Sequence, residues 1–345
     1  MIIDSFLYGG ENDIFISRIN YLKNYVDFFV VVESNTTFSG LQREFKLKNL
    51  VCKFPQELQE RIFVFENINF ISSKTDLEIL NYWPFSKSSN SIKAVFSQVA
   101  AQEYKPEVSF NEGYQRELIY FAINELIRIK PQIKITENDW IILSDLDEIP
   151  SINFINSING FDKNNLYYCE MTEFVYSPNF IKKEKWIGSV AFNSKKLYEN
   201  SIYFLRFMLK LNQIDRIPFE IINDEGWHLT SFGNLKFIKK KLDSWGHQEL
   251  NTFINKMLVK FRIERGFDIF GRDKNIKYIH KNDILPQEIL TSFLNEDYFI
   301  DYKIPTKLDY VVNKLACILD RFFRKFYIIK FSKVSNFIFK IIKKN

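Results

Sequence analysis

Three carboxylates crowd into four residues where the stretch Asp139-Trp-Ile-Ile-Leu-Ser-Asp-Leu-Asp-Glu-Ile-Pro-Ser151 ends: Asp145, Asp147 and Glu148. Like charges this close repel, and a divalent cation placed among them relieves the repulsion. The plainer alternative is a polar turn whose Ser151 caps a following helix. Asp145 and Asp147 stand two residues apart, so extended backbone aims both the same way and Glu148 the other way. Away from this cluster, His228 is one of three histidines and follows Gly226-Trp227, with Asp224 and Glu225 just before it. A lone histidine with acids beside it can complete a metal shell, contact a phosphate or pack as an ordinary core residue.

These residues need a scaffold. Trp140 to Leu143 is a short apolar run of β-formers, suited to a strand covered on both faces, and Pro150 ends its pairing. Ile2 to Tyr8 predicts a first strand and Gly9-Gly10 a turn. Glu11 to Tyr25 predicts a helix through the spacing of Ile14, Phe15, Ile19 and Leu22. Phe28 to Glu33 is continuous and β-branched, as a central parallel strand would be. It runs into the polar loop Glu33-Ser-Asn-Thr-Thr-Phe-Ser-Gly40. Arg61 to Glu66 predicts a third strand, residues 67–108 an irregular connection, and Asn111 to Lys130 a long helix with Gln115 and Arg116 in its first turns. Strand, helix and strand in this order predict an open α/β sheet whose ligands sit beyond the carboxyl ends of the strands. Downstream, Asn165 to Tyr176 and Lys185 to Phe192 read as antiparallel strands, and Asp224 to Gly233 as a strand running into a loop. Leu235 to Trp245 and Glu249 to Arg265 read as helices, with Lys236 to Lys241 a solvated basic face.

At 345 residues the chain can bury a full core, and 46% hydrophobic with 26% charged residues is ordinary for a globular protein. Cys52, Cys169 and Cys317 lie far apart without a CxxC pair, and their odd count argues against a disulfide framework, so a reducing compartment is expected. The opening Met1-Ile-Ile-Asp has no basic leader pattern, and no apolar run reaches the ~20 residues of a membrane span. The tail differs. Between Val311 and Lys344 there are nine lysines and arginines against one acid, Asp320, whereas the whole chain carries a net charge of +5. Basic residues mixed with aliphatics and aromatics predict attachment to an anionic membrane surface, the alternative being a basic helix packed on protein. No motif points to nucleic acid.

A set of short motifs resembles glycosyltransferase family 17. In chain order it comprises Asp4-Ser-Phe, Glu11-Asn-Asp13, Arg18, Val26-Asp27, Val32-Glu33-Ser34, Thr37-Phe-Ser-Gly40, Arg116, Asp145-Leu-Asp-Glu-Ile-Pro150 and Gly226-Trp-His228. The resemblance runs from residue 2 to about 265 and leaves the tail uncovered. It implies a GT-A-like fold, an open mixed α/β sheet of Rossmann type flanked by helices, over residues 1–270, with a basic helical extension over 271–345. It also implies transfer of a sugar from a nucleotide donor, UDP-N-acetylglucosamine first among candidates, to a glycan hydroxyl in surface polysaccharide or lipid-linked oligosaccharide synthesis. The enzyme would sit in the cytoplasm, at the inner face of the membrane through its tail.

Such chemistry needs positive charge on the leaving diphosphate, a base for the acceptor hydroxyl and a cradle for the nucleotide. Asp147 is expected to ligate Mn²⁺ or Mg²⁺, with Asp145 on the ribose or the same metal and His228 completing the shell or touching phosphate. Glu148 is expected to cap the site or orient the donor sugar. Asp224, then Glu225, are the candidate bases. Glu33, Ser34 and Thr37 are placed at the base and ribose, with strand-end capping as their alternative role, and Arg116 at the diphosphate or the Asp145 loop. Trp186 and Trp227 can stack on a sugar or pack in the core. A non-catalytic glycan- or membrane-binding protein on the same fold is the competing reading, which the intact Asp145-Leu-Asp147 argues against.

Overall fold

The computed structural model describes residues 1–72, 106–210, 216–244, 250–272, 276–279, 284–293 and 301–342, the side chains of 106 and 325–342 excepted. Most of the irregular connection expected over 67–108 lies outside the described residues. Four parallel strands form one half of the central sheet: β1 (Ile2–Tyr8), β2 (Phe28–Ser34), β3 (Ile62–Asn67) and β4 (Trp140–Asp145). Their spatial order is β3-β2-β1-β4. The chain therefore builds outward from β1 to β3, then crosses back to lay β4 on the other side of β1. The crevice beyond β1 and β4 is the point where an open sheet of this kind accepts ligands.

The continuous apolar run of β2 is explained by cover on both faces. Phe29 and Val31 join a core with Ile14, Phe15 and Ile19 of helix α1 (Asn12–Leu22). Val30 and Val32 join a second core with Leu118, Ile119 and Ala122 of helix α2 (Pro106–Ile129). Successive side chains pointing to opposite faces bury both sets, each large apolar side chain contributing about 1.5–3 kcal/mol relative to exposure. Helix α2 begins five residues before Asn111, with Pro106 at its first position, where a missing amide hydrogen costs nothing.

The other half of the sheet is mixed. After β4 come β5 (Glu148–Pro150), β6 (Leu166–Val175), β7 (Phe180–Lys182), β8 (Trp186–Asn193), β9 (Phe219–Ile222) and β10 (Gly226–Thr230). β8 lies antiparallel to β4, and β6 antiparallel to β8, as their sequences predict. β10 runs parallel to β6 and antiparallel to β5, pairing His228 with Glu173 on one side and with Glu148 on the other. Gly226 is required here. A Cβ at this position would meet the Ile149 carbonyl oxygen at 2.6 Å.

Helix α3 (Ile202–Phe207) follows β8, and helices α4 (Leu235–Ser244) and α5 (Phe253–Glu264) follow β10. Beyond residue 270, β11 (Ile276–Tyr278) pairs with β7, and Ile289 and Phe293 are buried in the α1-side core. Helix α6 (Lys307–Ile342) then runs for about 54 Å at the usual 1.5 Å per residue.

Candidate active site

The acidic turn between β4 and β5 is held from beneath by Arg18, fully buried on α1. Its guanidinium pairs with the equally buried Asp4 of β1 at 2.6 and 2.8 Å, and donates to the Asp145 carbonyl at 3.1 Å and the Ser144 hydroxyl at 2.9 Å. An ion pair without solvent is tolerated only when its remaining hydrogen-bonding capacity is filled, which the turn's own backbone does here. Arg18 thereby makes the first strand, the first helix and the acidic turn one rigid piece. From the far side, Leu229 of β10 donates its amide to the Asp147 carbonyl at 2.7 Å.

Above this floor opens a cavity of about 1110 Å³. Of the residues singled out in the sequence, Thr37, Arg116, Asp145, Asp147, Trp186 and His228 line it. The two aspartates have different surroundings. Asp145 lies between two arginines, Arg116 at Oδ1 and Arg206 of α3, 3.5 Å from Oδ2. Burial opposes ionisation of Asp145, but the two guanidinium charges outweigh it and hold the carboxyl well below the usual carboxylate range. Arg116 also reaches Glu112 at 3.2 Å. Asp147 faces the Lys241 ammonium at 3.2 Å and His228 Nε2 at 3.7 Å, and the same ammonium lies 3.3 Å from Glu11. Burial disfavours the charge on Lys241, yet Asp147 and Glu11 more than restore it and push the ammonium above its ordinary value. The helix carrying Lys241 is thus anchored by it across the cavity floor, and this lysine is no part of a solvated basic face.

Glu148 is fully buried and turned away from the cavity. It accepts from the Asp145 amide at 3.1 Å and the Trp186 indole at 2.7 Å, and pairs with Arg206. It braces the turn, so its place matches capping and not contact with a sugar. Glu33 accepts the Lys46 and Leu47 amides at 2.9 and 3.0 Å, capping the short helix Leu47–Val51, and Ser34 receives the Asn67 side-chain amide at 3.1 Å. Neither lines the cavity, and both have the strand-end role that was their alternative. Trp227 packs edge-on against Tyr21 in the core at 5.6 Å. The expectation of a base at Asp224 or Glu225 finds no support in their placement. Asp224 sits at a turn with φ of 56°, is 70% exposed at its side chain and pairs with Lys185, while Glu225 is held by the Ser151 hydroxyl. Ser151 also caps the next helix through the Phe154 amide, as expected of that residue.

Several cavity residues carried no signal in the sequence. Glu173 lies beside His228, its Oε1 3.8 Å from Nδ1, and pairs with Lys182. Lys210 stands 4.1 Å over the Trp186 ring, and burial pushes its ammonium down. Tyr176, at a φ of 68°, and Arg272 complete the far wall. Among the described residues, His228 Nδ1 and Glu11 Oε2 are buried without a hydrogen-bond partner, and no three His, Cys, Asp or Glu side chains form a ready-made metal cage. This donor set still fits a hard divalent cation of the Mg²⁺ or Mn²⁺ kind. Such ions take one or two carboxylates from protein and the rest of their oxygens from substrate phosphates and water.

A parallel half-sheet with its acidic turn at the crossover point, extended by an antiparallel half that walls an open cavity, defines a GT-A-like α/β protein. The sequence model of glycosyltransferase family 17 matches residues 1–95 and 80–273, and the chain belongs to that family. It is therefore a glycosyltransferase, and membership implies a nucleotide-sugar donor and a glycan acceptor. A comparison with curated proteins finds no match. Among solved structures, HddC from Yersinia pseudotuberculosis is similar over 66% of this chain and 92% of that one, at 9% identity and a TM-score of 0.34, a likeness too weak to carry an argument.

Proposed function

We propose that the chain is an inverting, metal-dependent transferase that moves N-acetylglucosamine from UDP-N-acetylglucosamine to a glycan hydroxyl. The observation that carries the reading is Asp147: a carboxylate on the cavity floor at the sheet's crossover point, with Lys241 and His228 beside it. The diphosphate gains negative charge as the glycosidic bond breaks, and groups already oriented toward that charge lower the barrier without reorganising. Asp147, with His228 beside it, would hold the divalent cation, which when bound neutralises charge on the leaving diphosphate. Arg116 and Lys241 add fixed positive charge on the same floor. The donor base and ribose fit the β1–β2 side of the cavity, at Tyr8, Thr37 and Gln115.

The acceptor approaches from the other side, along β6 and β8. Its hydroxyl oxygen forms the new bond to the anomeric carbon while the carbon–oxygen bond to the diphosphate breaks, the electron pair leaving with the diphosphate. The proton goes to a base opposite the leaving group. Glu173 is the acid we assign to this step, since it lines that wall and lies one residue, His228, away from Asp147. Trp186 stands beside it, with Lys210 4.1 Å over its ring and the His228 ring 4.7 Å away.

The test is a release assay for nucleoside diphosphate across a panel of nucleotide sugars with Mn²⁺, Mg²⁺ or EDTA, followed by NMR of the product anomer. Turnover of UDP-N-acetylglucosamine that requires metal and yields the β-linked product is expected. Turnover unaffected by EDTA, or an α-linked product, would overturn the metal or the inverting part of the reading.

A further inference from the structure

Helix α6 is packed inside out. Apart from Tyr310, whose ring meets Phe267 edge-on at 5.1 Å, this helix is tied to the domain by polar or small side chains: Asp309 meets Arg265 at 2.8 Å, Asn313 meets the buried Arg262 at 2.9 Å, Cys317 lies 3.6 Å from the same guanidinium, and Asp320 accepts from the Thr252 hydroxyl. The apolar side chains point away. Leu308, Val311, Leu315, Ile318, Leu319 and Phe322 are all more than half exposed, Leu308 at 70% and Phe322 at 61%. Their spacing of three and four residues gathers them on one stripe, and Lys314 and Arg321 border it at the helical repeat. An ordinary surface helix does the reverse and buries its apolar stripe. Ion pairs and hydrogen bonds at the root of α6 fix which face is presented outward, so the exposure of the stripe is built into the docking.

We propose that this stripe lies on an anionic lipid bilayer and orients the transferase on the membrane surface. Charge complementarity selects this occupant. Residues 325–345 carry six lysines and no acid, and the one acid of the 311–344 segment, Asp320, is turned inward against Thr252 and Arg324. A second copy packed on the stripe would set the lysine and arginine borders against each other, whereas anionic headgroups neutralise them. The adjoining α5 also exposes Phe253 and Met257. Among the described residues no helix is long and apolar enough to cross a membrane.

The test is flotation of the full-length protein with large unilamellar vesicles of phosphatidylcholine, with and without one third phosphatidylglycerol, alongside light scattering without lipid. Retention on the anionic vesicles at least about ten-fold above the neutral ones is expected, falling in about 0.5 M salt, because each surface lysine adds attraction that salt screens. Ile318→Glu/Leu319→Glu, and separately Leu308→Glu/Leu315→Glu, should each cut retention about ten-fold with unchanged thermal stability, since each of these side chains is more than half exposed. Lys330→Gln/Lys333→Gln/Lys340→Gln should remove the preference for phosphatidylglycerol. Equal retention on both vesicles, no retention, or a dimer that the glutamate variants dissociate would each overturn the proposal. The readout is lipid binding, so it stands or falls apart from the donor and acceptor assigned above.

Discussion

The Lys241 ammonium and the Asp147 carboxylate meet at 3.2 Å across the cavity floor, one on the helix after β10 and the other in the turn after β4. A side-chain cation thus neutralises the carboxylate that the proposed metal needs. On the proposed reading, Lys241 and the metal would compete for this carboxylate.

Lys241→Met should therefore tighten Mn²⁺ binding to the donor-free protein. With the lysine removed, Asp147 and Glu11 are left uncompensated, and at short range each unscreened charge changes cation affinity by about 1 kcal/mol or more. Electron paramagnetic resonance titration of free Mn²⁺ reads this directly. An affinity equal to or weaker than that of the natural protein would show that Lys241 does not shield the site.

Asp147→Asn should reduce transfer by about two orders of magnitude or more, in line with the loss of one pre-oriented charge-stabilising group. Asp145→Asn should act differently. Asp145 is already committed to Arg116 and Arg206, so its neutralisation takes one of two carboxylate partners from each buried guanidinium and lowers stability along with activity. Steady-state rates beside melting curves separate the two: an Asp147→Asn protein that melts early, or one that keeps full activity, contradicts the assignment.

Glu173→Gln should lower kcat while leaving the affinity for UDP unchanged, because Glu173 stands on the wall proposed for the acceptor. Retained kcat in the variant would remove Glu173 from the proton transfer. The control is Asp224→Asn, at the exposed rim, which should turn over normally.

Arg18→Met should destabilise the fold by about 3–5 kcal/mol by stranding buried Asp4, and Asp4→Leu/Arg18→Met should recover part of that loss. Urea unfolding of both variants checks it. A single variant more stable than the double would refute the pairing as the source of the effect.

Glu117, next to Arg116 but not itself lining the cavity, gives a pH test. Burial pushes its carboxyl up to about 7, partly offset by amides of Ile202 and Tyr203 at 3.1 and 2.8 Å. The folded protein then holds a proton that the unfolded chain releases near pH 4.5. Stability from this group is full below about pH 4.5 and declines as pH rises to about 7, by on the order of 3 kcal/mol. Glu117→Gln should flatten that part of a melting-temperature profile. An unchanged slope would place the dependence elsewhere.

Much of the scaffold was legible because its signals are local. The run Phe28 to Glu33 could only be a strand covered on both faces, and Trp140 to Leu143 leading into Asp145 and Asp147 announced a strand ending at a charged turn. The site was legible only in part, since function there depends on partners distant in sequence. Glu33 resembled a ligand-facing acid, but its partners are backbone amides at 46 and 47, which leave no mark in residue type. Lys241 looked solvated because nothing near it in sequence reveals that its helix crosses over Asp147. Glu173 sits in a segment read only as a strand, and Arg206 in the stretch 193–223, which carried no reading. The tail's charge was countable, whereas the inward turn of its polar face depends on Thr252, Arg262 and Arg265 of another helix.

The hydrogen bond from the Leu229 amide to the Asp147 carbonyl has one more consequence. The proposed metal ligand and the strand carrying His228 share a backbone rung, and His228 pairs in register with Glu173 on its other side. Displacing the turn pulls on β10, and displacing β10 pulls on the acceptor wall. On the proposed assignment, the donor side and the acceptor side of the cavity therefore rest on the same three paired strands, β5, β10 and β6.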